Sequence, residues 1–150
     1  MKTFKVAILL ASALVATAPF AYSADAPAAA PASRAHILSR EELDKLLAQP
    51  TKTLVIDVRR PDEVSAIGGL PVYLSIQAKD LETSTAWIPK DRTLVLVSNH
   101  AGRAGKAADL LASKGFKVAG AAGVQLYEKN GGTLTHLAKP AATAAAGAQN

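Results

Sequence analysis

Thr93-Leu94-Val95-Leu96-Val97-Ser98-Asn99-His100-Ala101-Gly102-Arg103-Ala104-Gly105-Lys106-Ala107-Ala108-Asp109-Leu110-Leu111 reads as one unit: an apolar strand, a short loop of small residues, and an amphipathic helix. The uncharged run before Ser98 fits a strand buried on both faces, as in a parallel sheet with helices on either side. Leu110, Leu111 and the alanines before them supply the stripe that covers such a sheet. The helix is expected to begin near Arg103, so its first free N–H groups point back into the loop Ser98–Arg103. A loop with a positive dipole end and a guanidinium at its rim suits an anion.

Outward from this unit, apolar segments of strand and helix type alternate. His36-Ile37-Leu38 reads as a short strand. Ser39 is placed to cap the helix that follows, with Glu42 bonding back to the cap. That helix carries Leu43, Leu46 and Leu47 and stops at Pro50. Thr53 to Arg59 is a second buried strand ending on charges, and Pro61 opens a short helix. Val72 to Ile76 is the next strand, and a helix with Leu81 and Trp87 follows it. After the central helix, Gly115 is a stop signal before Phe116 and Val118, and Asn130-Gly131-Gly132 ends the last helix. Alternation from His36 to Leu137 calls for an α/β fold, a parallel sheet flanked by helices on both faces with right-handed crossovers.

The ends have different compositions. Lys2 and Lys5, an apolar run from Val6 to Ala18, and small residues around Ala21, Ser23 and Ala24 make 1–24 a secretory signal peptide, cleaved after Ser23 or Ala24. The segment 25–34 is an Ala/Pro linker. The tail 139–150, alanine-rich without periodicity, is expected to be disordered. The formal charge of +5 is scattered, with no basic run and few aromatics, which argues against nucleic acid. The chain contains no cysteine, hence no disulfide, lipid anchor or thiol chemistry.

The order and spacing of these segments resemble rhodanese-like domains. Asp57-Val58-Arg59 is similar to the family's D-V-R signature, whose Asp and Arg brace loops at the carboxyl end of a central strand. Gly68-Gly69-Leu70-Pro71 keeps a glycine and a proline of the next motif, with Gly69 in its histidine position and Ile67 as a one-residue insertion. Val72 to Ile76 corresponds to the following "GAINIP" stretch. Gly115-Phe116-Lys117-Val118 resembles the "GF-x-x-V" return, and Ala121 to Tyr127 matches the last pattern in part. In the active-site loop, a strand ends on a nucleophilic cysteine followed by x-x-G-x-R. Here Ser98 stands in the cysteine position, Ala101 in that of the glycine, and Arg103 matches the arginine. The resemblance spans residues 35–138 and implies a rhodanese-like domain without its nucleophile.

That substitution limits the chemistry. Sulfur transfer in the family runs through a cysteine persulfide, and a serine hydroxyl, with its far higher pKa, cannot store a sulfane sulfur. No catalytic residue is therefore assigned. The loop Ser98, Asn99, His100, Ala101, Gly102 and Arg103 is the candidate anion-binding site. Arg103 has two readings: its fork binds an oxyanion with the loop amides, or it pairs with a carboxylate and holds the loop. Asp57 and Arg59 are read as structural, and Gly68, Gly69 and Gly123 as turn positions. Ser98 and His100 could serve as nucleophile and base of a hydrolase, but adjacent loop residues seldom aim at each other and no acid is placed to orient the imidazole. His36, His100 and His136 lack the close spacing of a zinc site.

The expected protein is an exported, periplasmic or secreted accessory module. Its ligand is a small oxyanion or a protein partner, with no cofactor, no metal and, after signal cleavage, no membrane contact. The alternatives are a serine-based hydrolase on the same loop, or a protein that only resembles thiosulfate sulfurtransferases.

Overall fold

The computed structural model describes residues 33–136; the expected signal peptide 1–24, the expected tail 139–150 and most of the expected linker 25–34 lie outside the described residues. The elements in order are α1 (Arg40–Leu47), β1 (Thr53–Asp57), α2 (Pro61–Ile67), β2 (Leu74–Ser75), a 3-10 helix (Thr83–Trp87), β3 (Thr93–Ser98), α3 (Gly102–Ser113), β4 (Lys117–Gly123) and α4 (Val124–Lys129). The four strands form one parallel sheet in the order β2-β1-β3-β4.

Alternation along β3 divides the interior into two layers. Leu94 and Leu96 pack with Ile56, Ala104, Ala108, Leu111 and Phe116 beneath α3. Val95 and Val97 point the other way, against Leu43, Val55, Val124 and Tyr127 beneath α1 and α4. Successive strand side chains face opposite sides, so an unbroken apolar run is what a sheet covered on both faces requires.

Local signals built the expected ends. Ser39 accepts the Glu42 N–H, and the Glu42 carboxylate accepts the Ser39 N–H at 2.8 Å, closing a capping box on α1. Gly68 ends α2 with φ +94°, a left-handed conformation that costs glycine little.

Three elements differ from expectation. The strand at His36–Leu38 is a single bridge, Ile37 to Ala121, because the next residue, Ser39, is already turned to cap α1. The strand at Val72–Ile76 shortens to Leu74–Ser75: it follows Pro71, which has no N–H to donate, and pairs only with β1. The segment Thr83–Trp87 winds as a 3-10 helix, with the hydroxyls of Thr83 and Thr85 bonded back to the carbonyls of Asp80 and Glu82. Leu81 is buried just before it, whereas Trp87 is 83% exposed.

Candidate functional site

The strand order places the carboxyl ends of β1 and β3 side by side, Asp57 in register with Val97. Residues just beyond these ends, on the Asp57–Arg59 turn and the Ser98–Arg103 loop, are thereby forced together. Ligand sites of open α/β sheets form in such a place.

Asp57 and Arg59 make a buried ion pair, with side-chain exposures of 1% and 0%. Arg59 Nε donates to Asp57 Oδ1 at 2.9 Å and Nη2 to Oδ2 at 2.7 Å. Nη2 also donates to the Gly68 carbonyl at 2.9 Å, and Nη1 to Asn99 Oδ1 at 3.1 Å. One guanidinium thus ties β1, the end of α2 and the loop, which is the fixed-fork geometry that arginine supplies and lysine does not.

Glu63, in the first turn of α2, organises the other half. Arg103 Nη1 donates to its Oε2 at 2.8 Å and Asn99 Nδ2 to its Oε1 at 2.8 Å, while Arg103 Nη2 reaches Oε1 at 2.6 Å. The Arg60 N–H donates to Oε2 at 3.1 Å. These contacts occupy roughly the four acceptor positions of a carboxylate. Asn99 is the link, its oxygen toward Arg59 and its nitrogen toward Glu63, and only this amide orientation satisfies both neighbours. A continuous chain therefore runs Asp57–Arg59–Asn99–Glu63–Arg103.

The bidentate Arg103 contact, helped by the Arg60 N–H, lowers the Glu63 carboxyl from 4.5 to about 2; the same contact raises Arg103. Because the folded-state value is depressed, the stability Glu63 contributes is complete above its unfolded value and is lost as pH falls toward about 2. Glu63→Gln should accordingly flatten stability against pH between about pH 5 and pH 2, the range in which such a carboxylate titrates. Urea melts at stepped pH test this. Equal acid sensitivity in the two proteins would contradict the role given to the carboxylate.

Ser98 is fully buried. Its Oγ accepts the Ala104 N–H at 3.1 Å, satisfying one of the free donors at the start of α3. The same hydroxyl makes a long 3.5 Å contact with the His100 carbonyl, and among the described residues it has no hydrogen bond to the imidazole. His100 is exposed; its carbonyl accepts the Gly102 N–H, and the Ala101 carbonyl accepts the Gly105 N–H at 2.7 Å. The loop is pressed against β4 at Gly123, where a Cβ would lie 2.8 Å from the Ala101 nitrogen and 3.1 Å from the Asn99 oxygen. Gly123 is therefore a close-approach position on an extended strand, φ −100°, and not the turn position its sequence context suggested.

The Ser98–Arg103 loop and the Asp57–Arg59 pair thus converge; His36 pairs with Glu42, and His136 pairs with Glu128 and packs beside Gly68. Of the two readings of Arg103, the geometry has the carboxylate partner. Glu63, in the short helix that Pro61 opens, is the site residue that sequence reasoning missed. Its one signal in the sequence was its place as an acidic residue in the first turn of a helix, beside the apolar Val64.

The profile of the rhodanese-like domain family matches residues 39–132, well over half of the chain. A rhodanese-related protein from Thermoplasma volcanium superposes with a TM-score of 0.58 at 19% identity, covering 68% of this chain and 97% of that one. A rhodanese-like domain protein from Staphylococcus aureus gives 0.57 at 18%, over 68% and 98%. The reduced Bacillus anthracis CoADR-RHD gives 0.56 at 25%, over 62% of this chain and 16% of that longer one. No curated protein matches the chain. The chain belongs to the rhodanese-like domain family, and with no cysteine in it no cysteine persulfide can form.

Proposed function

We propose that this domain is a non-catalytic binding module whose ligand is a protein partner. The observation that carries this reading is the state of the loop residues. Ser98, in the nucleophile position, spends its hydroxyl on the Ala104 N–H, and Arg103, the arginine that would meet an anion, is neutralised by Glu63. A free oxyanion would have to compete with a bidentate carboxylate already in place. A partner protein can instead use the surface around a loop that the network holds rigid. The charged start, apolar run and small residues of 1–24 support export to the periplasm or beyond, in which case the mature protein begins at Ala24 or Asp25.

Two measurements on the purified protein test the reading. Thiocyanate formation from thiosulfate and cyanide should equal the buffer blank. Titration with thiosulfate and with sulfate should give no saturable NMR shift of the Asn99–Arg103 amides at millimolar concentration. Turnover above the blank, or a saturable shift abolished by Arg103→Ala, would overturn it.

A further inference from the structure

Beside the loop, two hollows of about 180 and 250 Å³ meet at Ala78 and Arg103 and form one shallow groove. One wall is the segment Gln77–Lys79 that follows β2; the other is the first turns of α3. Its floor is apolar, made by Ala78, Leu81, Ala107 and Leu110. Its rim is cationic: Arg60, Lys79, Arg103 and Lys106 all line it, and no carboxylate does. Arg60 and Arg103 are held by Asp62 and Glu63. Lys79 and Lys106 are exposed and have no ion pair among the described residues. Asp80 follows Lys79 in sequence but lines neither hollow.

We propose that this groove binds an acidic peptide segment of a partner protein, with an apolar side chain over Leu81 and Leu110 and carboxylates toward Lys79 and Lys106. The inference rests on the protein-partner reading above and names the partner's chemistry. Charge complementarity chooses the occupant: an apolar floor takes any hydrophobic segment, and a rim of one sign rejects those of like charge. The ion pairs of Arg60 and Arg103 leave the two lysines as the uncompensated positive charge, so a segment with spaced carboxylates fits better than a single small anion.

The test uses a fluorescein-labelled peptide alternating Glu and Leu, a Lys–Leu counterpart, and a Glu–Ser counterpart that lacks the apolar side chains. The Glu–Leu peptide should bind more tightly than either control, and weaken several-fold as salt shortens the screening length toward ~8 Å. In Lys79→Glu/Lys106→Glu, two exposed substitutions, its affinity should fall at least about tenfold, since each attraction becomes a repulsion. Amide shifts should cluster at Gln77–Lys79 and Arg103–Ala107. Equal binding of the Lys–Leu peptide, unchanged affinity in the charge-reversed variant, shifts centred elsewhere, or no binding of the Glu–Leu peptide would each overturn the proposal. The sulfur-transfer and anion measurements are made without peptide, so failure of the broader reading would be seen separately.

Discussion

Arg59→Ala should lower the stability of the domain by about 3–5 kcal/mol, because it leaves the Asp57 carboxylate buried without its cation. That is a large share of the roughly 5–15 kcal/mol by which domains of this kind are stable. Asp57 and Arg59 are screened from water, with exposures of 1% and 0%, so solvent cannot take the place of the guanidinium. The same truncation also leaves the Gly68 carbonyl and Asn99 Oδ1 without their donor. Arg59→Lys keeps the charge and loses the fork, and should fall between the native protein and the alanine variant. Urea denaturation of these variants, of the single changes Asp57→Leu and Arg59→Leu, and of Asp57→Leu/Arg59→Leu completes the test. The double leucine variant should lose less than the two single changes added together, since it removes both charges at once. Strict additivity, or an alanine variant as stable as the native protein, would show that the pair does not hold this end of the sheet.

Gly123→Val should have the second largest effect, a loss of about 1–3 kcal/mol from overpacking, accompanied by displacement of the Ser98–Arg103 loop. The atoms a new Cβ would meet are the Ala101 nitrogen, the Asn99 oxygen and the His100 Cα, all backbone. Backbone cannot turn aside as a flexible side chain does, so the loop must move away from β4. That movement should stretch the Asn99 bridge between Arg59 and Glu63. Denaturant melts read the stability, and amide shifts from Asn99 to Ala104 read the displacement. A variant with native stability and native loop shifts would mean that the loop does not depend on contact with β4.

The fold was readable because its signals are local. The apolar run Leu94–Val97 demands cover on both faces wherever the strand lies, and the two layers beneath α3 and beneath α1 and α4 supply it. The capping box at Ser39 and Glu42 closes within one helical turn. The loss of persulfide chemistry is more direct still, because it follows from composition: no arrangement of a chain without cysteine yields a cysteine thiolate.

The state of the site was decided elsewhere. Glu63 and Arg103 are forty residues apart and meet only because β1 and β3 are neighbours in the sheet. Before that adjacency exists, an oxyanion and a protein carboxylate are equivalent partners for Arg103, since both offer the same paired oxygens. Asn99 could be placed on the loop from the sequence, but its two-sided bridge requires Arg59 and Glu63 to arrive from different elements. Gly123 looked like a turn because nothing nearby in the chain revealed that the loop would lie against it. The sequence by itself determined an α/β domain with buried parallel strands, capped helices and no thiol. Only the tertiary structure decided that the Ser98–Arg103 loop is held by a carboxylate from α2, because periodicity and capping act over a few residues whereas charge pairing acts across whatever the sheet brings into contact.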